Sequence, residues 1–135
     1  MNGLLVDTNV ILDIATEDPL WFGWSSNTLS YYAEKHPLYI NKIIYAEVSV
    51  GYQKIEELER ALPASVFKRS VLPWEAAFLA GKAYLKYRQL GGARTQPLPD
   101  FFIGAHALID QLALLTRDAK RFKYYFPNLQ IISPD

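Results

Sequence analysis

A chain of 135 residues has room for one domain built on one core, and with 50% hydrophobic and 21% charged residues it is not of disordered composition. Its 14 basic residues balance 14 acidic ones, so no bulk positive charge is available and a polyanion would have to be gripped locally or through metal. The absence of cysteine excludes a disulfide scaffold and a thiolate metal site and suits a reducing compartment.

Short apolar runs fit for buried strands alternate with longer segments of helical period, the pattern of an α/β fold on a parallel sheet. The first strand is predicted over residues 3–6, with Asp7 at its C-terminal end and Thr8 or Asn9 capping a helix to residue 14. Pro19 closes that helix. An aromatic-rich helix over 21–35 ends at His36 and Pro37, and a strand follows at 38–40. Helices are expected over 42–51 and 53–62, a short strand at 71–72 and a long helix over 74–90 that Gly91 and Gly92 stop. After a loop at 93–99, Asp100 opens a buried helix to about residue 111. A strand at 112–115, a helical turn at 119–122 and a strand at 129–132 complete the chain. The N-terminus MNGLLVDTN lacks the basic start and long apolar stretch of a signal peptide, and no run approaches the roughly 20 apolar residues of a membrane span. The expectation is one soluble, cytoplasmic domain over residues 1–135.

Asp7 in LLVDTNV, Glu47 in IIYAEVSVG, Asp100 in PLPDFFIGAHA and Asp118 in LLTRDAKRF repeat one theme: each carboxylate sits beside apolar runs that should be buried. An ionised carboxylate near a core costs several kcal/mol unless compensated, and no matching lysines or arginines lie at comparable positions. A hard divalent cation is the simplest compensation, and oxygen-only ligation suits Mg²⁺ or Mn²⁺ better than zinc. Asp7 and Asp118 fall at or just past strand C-terminal ends, the edge where open α/β sheets place ligands. Asp100 falls at a helix N-terminus, where the helix dipole should depress its pKa. Gly51 and Gly104, each one turn beyond an acid, are expected to leave room for metal and water. Each acid alone has an ordinary reading: Asp7 and Asp100 as caps, Glu47 as a surface glutamate, Asp118 as a turn residue. The four together favour a metal-dependent site.

The ordered set VDTNV, YAEVSVG, LPDFFIGAHAL and LLTRDAKRF resembles the PIN domain, specifically the VapC-type toxins of bacterial and archaeal toxin–antitoxin pairs, over nearly the whole chain. The resemblance implies a three-layer α/β/α sandwich with a central, mostly parallel sheet and an Mg²⁺- or Mn²⁺-dependent ribonuclease site. It makes Asp7, Glu47, Asp100 and Asp118 the catalytic metal-binding acids. Asn9 and Thr116 would be their polar accompaniments, supporting the acids or reaching metal through water. Its implied partners are RNA, a VapB-like antitoxin and a second copy of the chain, with no membrane. The departure from the family is the lack of an overall basic surface.

Arg94, in the loop before Asp100, and Arg117, beside Asp118, are candidate substrate contacts, with Lys120 as a further local charge. Neither histidine is a catalytic candidate: His36 ends a helix, and His106 sits in an apolar run and should be packed. Trp21, Phe22, Trp24, Tyr31 and Tyr32 are more aromatics than one helix face can bury, so some should be exposed as a contact surface. Two rivals stand beside the nuclease. A phosphoryl-transfer α/β domain of haloacid-dehalogenase type wants a second aspartate where Asn9 stands. A non-catalytic PIN-like binding module would be expected to have lost at least one of the four acids.

Overall fold

The chain begins in the middle of its own sheet. In the computed structural model, which describes residues 1–92 and 97–135, β1 (Leu4–Val6) lies between β2 (Leu38–Ile40) and β4 (Ala113–Leu115). β3 (Phe67–Arg69) adds outside β2 and β5 (Ile131–Ile132) outside β4, giving the order β3-β2-β1-β4-β5 with each neighbouring pair parallel. Parallel neighbours need crossovers. α1 (Thr8–Ala15) and α2 (Phe22–Ala33) join β1 to β2, and α3 (Lys42–Ser49) and α4 (Ile55–Ala61) join β2 to β3. α5 (Trp74–Gln89) and α6 (Leu98–Ile109) carry the chain back to β4, and α7 (Lys120–Tyr125) leads to β5. Winding outward from β1 in one direction and then in the other puts helices on both faces, which is the predicted three-layer α/β sandwich.

Covering both faces explains the strand sequences. Leu4, Leu5 and Val6 of β1 and Ala113, Leu114 and Leu115 of β4 are all fully buried, so these strands are continuously apolar with no polar alternation. α6 follows the same logic, since Phe101, Ile103, Ala105 and Ala107 are fully buried and leave it almost no solvent face. No helix among the described residues is long and apolar enough to cross a membrane.

Several boundaries differ from expectation. The strand predicted at 71–72 lies at Phe67–Arg69 instead, and Val71 is exposed. This edge strand buries only Phe67 and pairs on one side, so its sequence FKR carries little hydrophobic signal. α1 starts one residue early because Asp7, rather than Thr8 or Asn9, caps it. α6 starts at Leu98, and α7 runs from Lys120 to Tyr125, a turn farther than its apolar residues suggest. Gly104 does not make room for a metal: a Cβ there would come 2.6 Å from the Phe126 ring, so the glycine lets α6 lie against the aromatic residues after β4. Gly51 is exposed beyond the end of α3.

Candidate active site

The sheet changes winding direction between β1 and β4, and the crevice at their C-terminal ends is where the site forms. Asp7 is held there by its backbone, whose N–H donates to the Leu115 carbonyl at 2.9 Å. Its side chain is only 5% exposed. Oδ1 accepts from the Thr8 N–H at 2.8 Å, capping α1, and Oδ2 accepts from the Thr116 hydroxyl at 2.8 Å. Thr116 immediately follows β4 and is fully buried. Its Oγ1 also accepts from Asn9 Nδ2 and from the Asp118 N–H, each at 3.2 Å. One hydroxyl therefore ties together β1, α1 and the loop that presents Asp118.

The remaining acids come from two other elements. Glu47, on α3, accepts from the Thr8 hydroxyl at 2.5 Å. Asp100, in the first turn of α6, accepts from Arg121 Nη1 at 3.0 Å. Asp7, Glu47, Asp100 and Asp118, with Thr8 and Asn9, line one pocket of about 220 Å³. The four predicted acids, 111 positions apart at the extremes, thus converge on a single space.

Electrostatics show what that convergence costs. Burial, with the charges of Asp100 and Glu47, pushes the Asp7 carboxyl up to about 7 despite the opposing Thr116 and Thr8 hydrogen bonds. Burial and Asp100 raise Glu47 against the Thr8 hydrogen bond. Asp100 is raised as well, by burial first and then by Asp118, although Arg121 opposes the shift. The depression expected from the α6 N-terminus is therefore overturned: burial and Asp118 outweigh the Arg121 ion pair.

The donor set fits a hard divalent cation, being carboxylate oxygen throughout and mutually repelling. No three metal-binding side chains among the described residues stand close enough to hold one ion in this arrangement. In this arrangement Thr8 holds Glu47 and Arg121 holds Asp100. Those side chains would have to exchange protein hydrogen bonds for a cation.

The other candidate residues are placed differently. Arg117 is engaged within the protein: its Nε donates to Asp13 Oδ2 at 2.8 Å and its guanidinium lies over the Trp21 ring. Asp13 is 2% exposed and also accepts from the Ser25 hydroxyl at 2.7 Å, so it clamps α2 and the loop after β4 to α1. Arg94 lies outside the described residues. His106 is packed as expected, fully buried, with Nδ1 3.0 Å from Asn41 Nδ2 and Nε2 3.0 Å from Asp110. Among the aromatics of α2, Phe22 and Tyr31 are exposed while Trp24 and Tyr32 pack against the core.

Sequence reasoning missed Thr8, Asp13 and Arg121. Asp13, in VILDIA, satisfies the criterion that found the four acids, a carboxylate among buried apolar neighbours. It differs in having a cation, and only the fold brings Arg117 to it. Arg121 likewise corrects the expectation that no arginine matches these acids.

The PIN domain family matches residues 4–126, and the chain belongs to that family. No curated protein matches it at a significant level. Among solved structures it is similar to VapBC2 from Rickettsia felis bound to a DNA fragment from their promoter, at TM-score 0.74 and 23% identity over 98% of each chain. A toxin–antitoxin complex from Klebsiella pneumoniae gives TM-score 0.72 and 24% identity over 98% of each chain. FitAcB from Neisseria gonorrhoeae gives TM-score 0.70 and 20% identity over 97% of each.

Proposed function

We propose that this PIN-domain chain is a divalent-metal-dependent endoribonuclease acting as the toxin of a VapBC-type toxin–antitoxin pair. The observation that supports it most is the convergence of Asp7, Glu47, Asp100 and Asp118 on one pocket at the switch point of the sheet. Those four residues would hold Mg²⁺ or Mn²⁺. When bound, the cation supplies an activated water and neutralises charge that develops on a phosphodiester. The chain's own part is positioning. Thr116 fixes the Asp7 carboxylate, and Asn9 and the Asp118 N–H fix Thr116 in turn.

The partners follow from the same reading. The similar solved chains named above are from toxin–antitoxin assemblies, which supports a VapB-like antitoxin for this chain. Exposed Phe22 and Tyr31 on α2, and Trp74 and Phe78 on α5, supply apolar surface for the antitoxin and for a second copy of the chain. The test is cleavage of a panel of structured RNAs, tRNAs included, by antitoxin-free protein. Cutting that requires Mg²⁺ or Mn²⁺, stops with EDTA and is lost in Asp7→Asn is the expected result. Cleavage by a folded Asp7→Asn protein at the parent rate would overturn the assignment.

A further inference from the structure

A broad concave surface borders the acidic pocket. It is a groove of about 740 Å³ that shares Asp100 and Asp118 with the site and continues over α7 and the C-terminal half of α5. Tyr87, Tyr124 and Tyr125 line it, and Tyr124 is 55% exposed. Cations are interleaved with the rings. Lys86 Nζ lies 4.9 Å from the centre of the Tyr124 ring, and the Arg121 guanidinium lies 6.0 Å from that of Tyr87. Lys120 and Lys123 line the same groove. The chain as a whole has formal net charge zero, so this is a local concentration of positive charge running up to the carboxylates.

We infer that this groove is the path of a single-stranded RNA segment next to the bond being cut, with bases laid on the tyrosine rings and phosphates met by Lys86, Lys120, Arg121 and Lys123. The inference takes its ligand from the nuclease reading above. Charge alone would suit any polyanion; the exposed Tyr124 ring, beside the half-buried rings of Tyr87 and Tyr125 and set among cations, suits one that carries flat, unstacked bases. A duplex hides its base faces and cannot use them. Arg121 joins the two regions, since the side chain that now pairs with Asp100 also borders the groove and can turn to a phosphate when that acid is otherwise engaged.

The test reads binding rather than turnover. A 5′-fluorescein-labelled single-stranded RNA of about 12 nucleotides, long enough to fill such a groove, is titrated with the full chain in EDTA and followed by anisotropy. Tyr124→Ala is expected to weaken binding about tenfold and Tyr124→Phe to restore it, because stacking needs the ring and not the hydroxyl. Lys123→Ala should weaken binding and flatten the dependence of log Kd on log salt by about 0.7, the signature of one lost phosphate contact on a single strand. The same RNA annealed to its complement should bind at least about tenfold more weakly. Parent-like affinity in Tyr124→Ala and Lys123→Ala overturns the inference. So does a failure of the parent to bind, or equally tight binding of the duplex or of a polyglutamate peptide. A parent that binds through the groove but never cuts with Mg²⁺ or Mn²⁺ retires the nuclease and leaves the groove standing. A parent that cuts while the groove variants bind unchanged does the reverse.

Discussion

Asp7 carries two roles that compete. As the cap of α1 it needs an acceptor oxygen, and as a member of an acidic site it needs a negative charge that burial opposes. With its carboxyl raised from about 3.8 to about 7, the folded chain holds a proton that the unfolded chain has already released between those pH values. Stability of the metal-free protein therefore falls as pH rises through this window, by up to about 4 kcal/mol from this group. Asp7→Asn removes the titration, so its stability relative to the parent should grow from pH 4 to pH 7.5 in urea melts in EDTA. A parent–variant difference that stays flat across this range would show that Asp7 is not raised. The Asp13–Arg117 pair has the opposite character, a buried carboxylate already compensated. Arg117→Ala strands it with Ser25 alone and should cost about 2–3 kcal/mol. If the role of Arg117 is this clamp and not substrate contact, mild heating should lower variant activity before it alters the Michaelis constant.

At the scale of elements, α6 is the piece on which site and core meet. Its first turn carries Asp100 and its middle is buried on nearly every side. Gly104 sets how closely it approaches Phe122 and Phe126, so Gly104→Ala should cost about 1–3 kcal/mol through overpacking. Near-UV circular dichroism should report the aromatic rearrangement, and an unchanged spectrum and melting temperature would contradict the packing role. α3 is placed by a separate buried network. Asn41 accepts from the Ile44 N–H through Oδ1 while its Nδ2 meets His106, so the helix that bears Glu47 is anchored to α6 at its first turn. Burial lowers His106 in spite of Asp110, which keeps the ring neutral near pH 7 and able to accept from Asn41.

For the whole molecule, repulsion among the acids is a store of free energy that a cation would release. On the proposed metal role, Mn²⁺ at about 100 times its Kd stabilises the fold by about 2.7 kcal/mol. A rise in melting temperature with Mn²⁺ is the expected outcome, absent or much reduced in Asp7→Asn. Equal rises in parent and variant would place the cation elsewhere. At this scale a cluster of cations over α7 and the acidic crevice lie side by side within a chain of zero net charge.

The strand–helix alternation and the buried run LLV were legible in the sequence because a two-sided sheet demands continuous apolar strands wherever it lies. The four acids were legible for a related reason: carboxylates set in apolar segments require an explanation that local structure does not supply. The edge strand at Phe67–Arg69 was not, since it buries one side chain and so leaves almost no periodic trace. Which cation serves which acid was hidden as well. Arg117 stands beside Asp118 in the chain and yet binds Asp13, and Arg121 reaches back 21 positions to Asp100. Burial, hydrophobic pattern and composition belong to each segment and can be read there. Ion pairing, the shift of Asp7 and the meeting of groove and pocket depend on distances across the sheet, and only the folded chain brings those groups together.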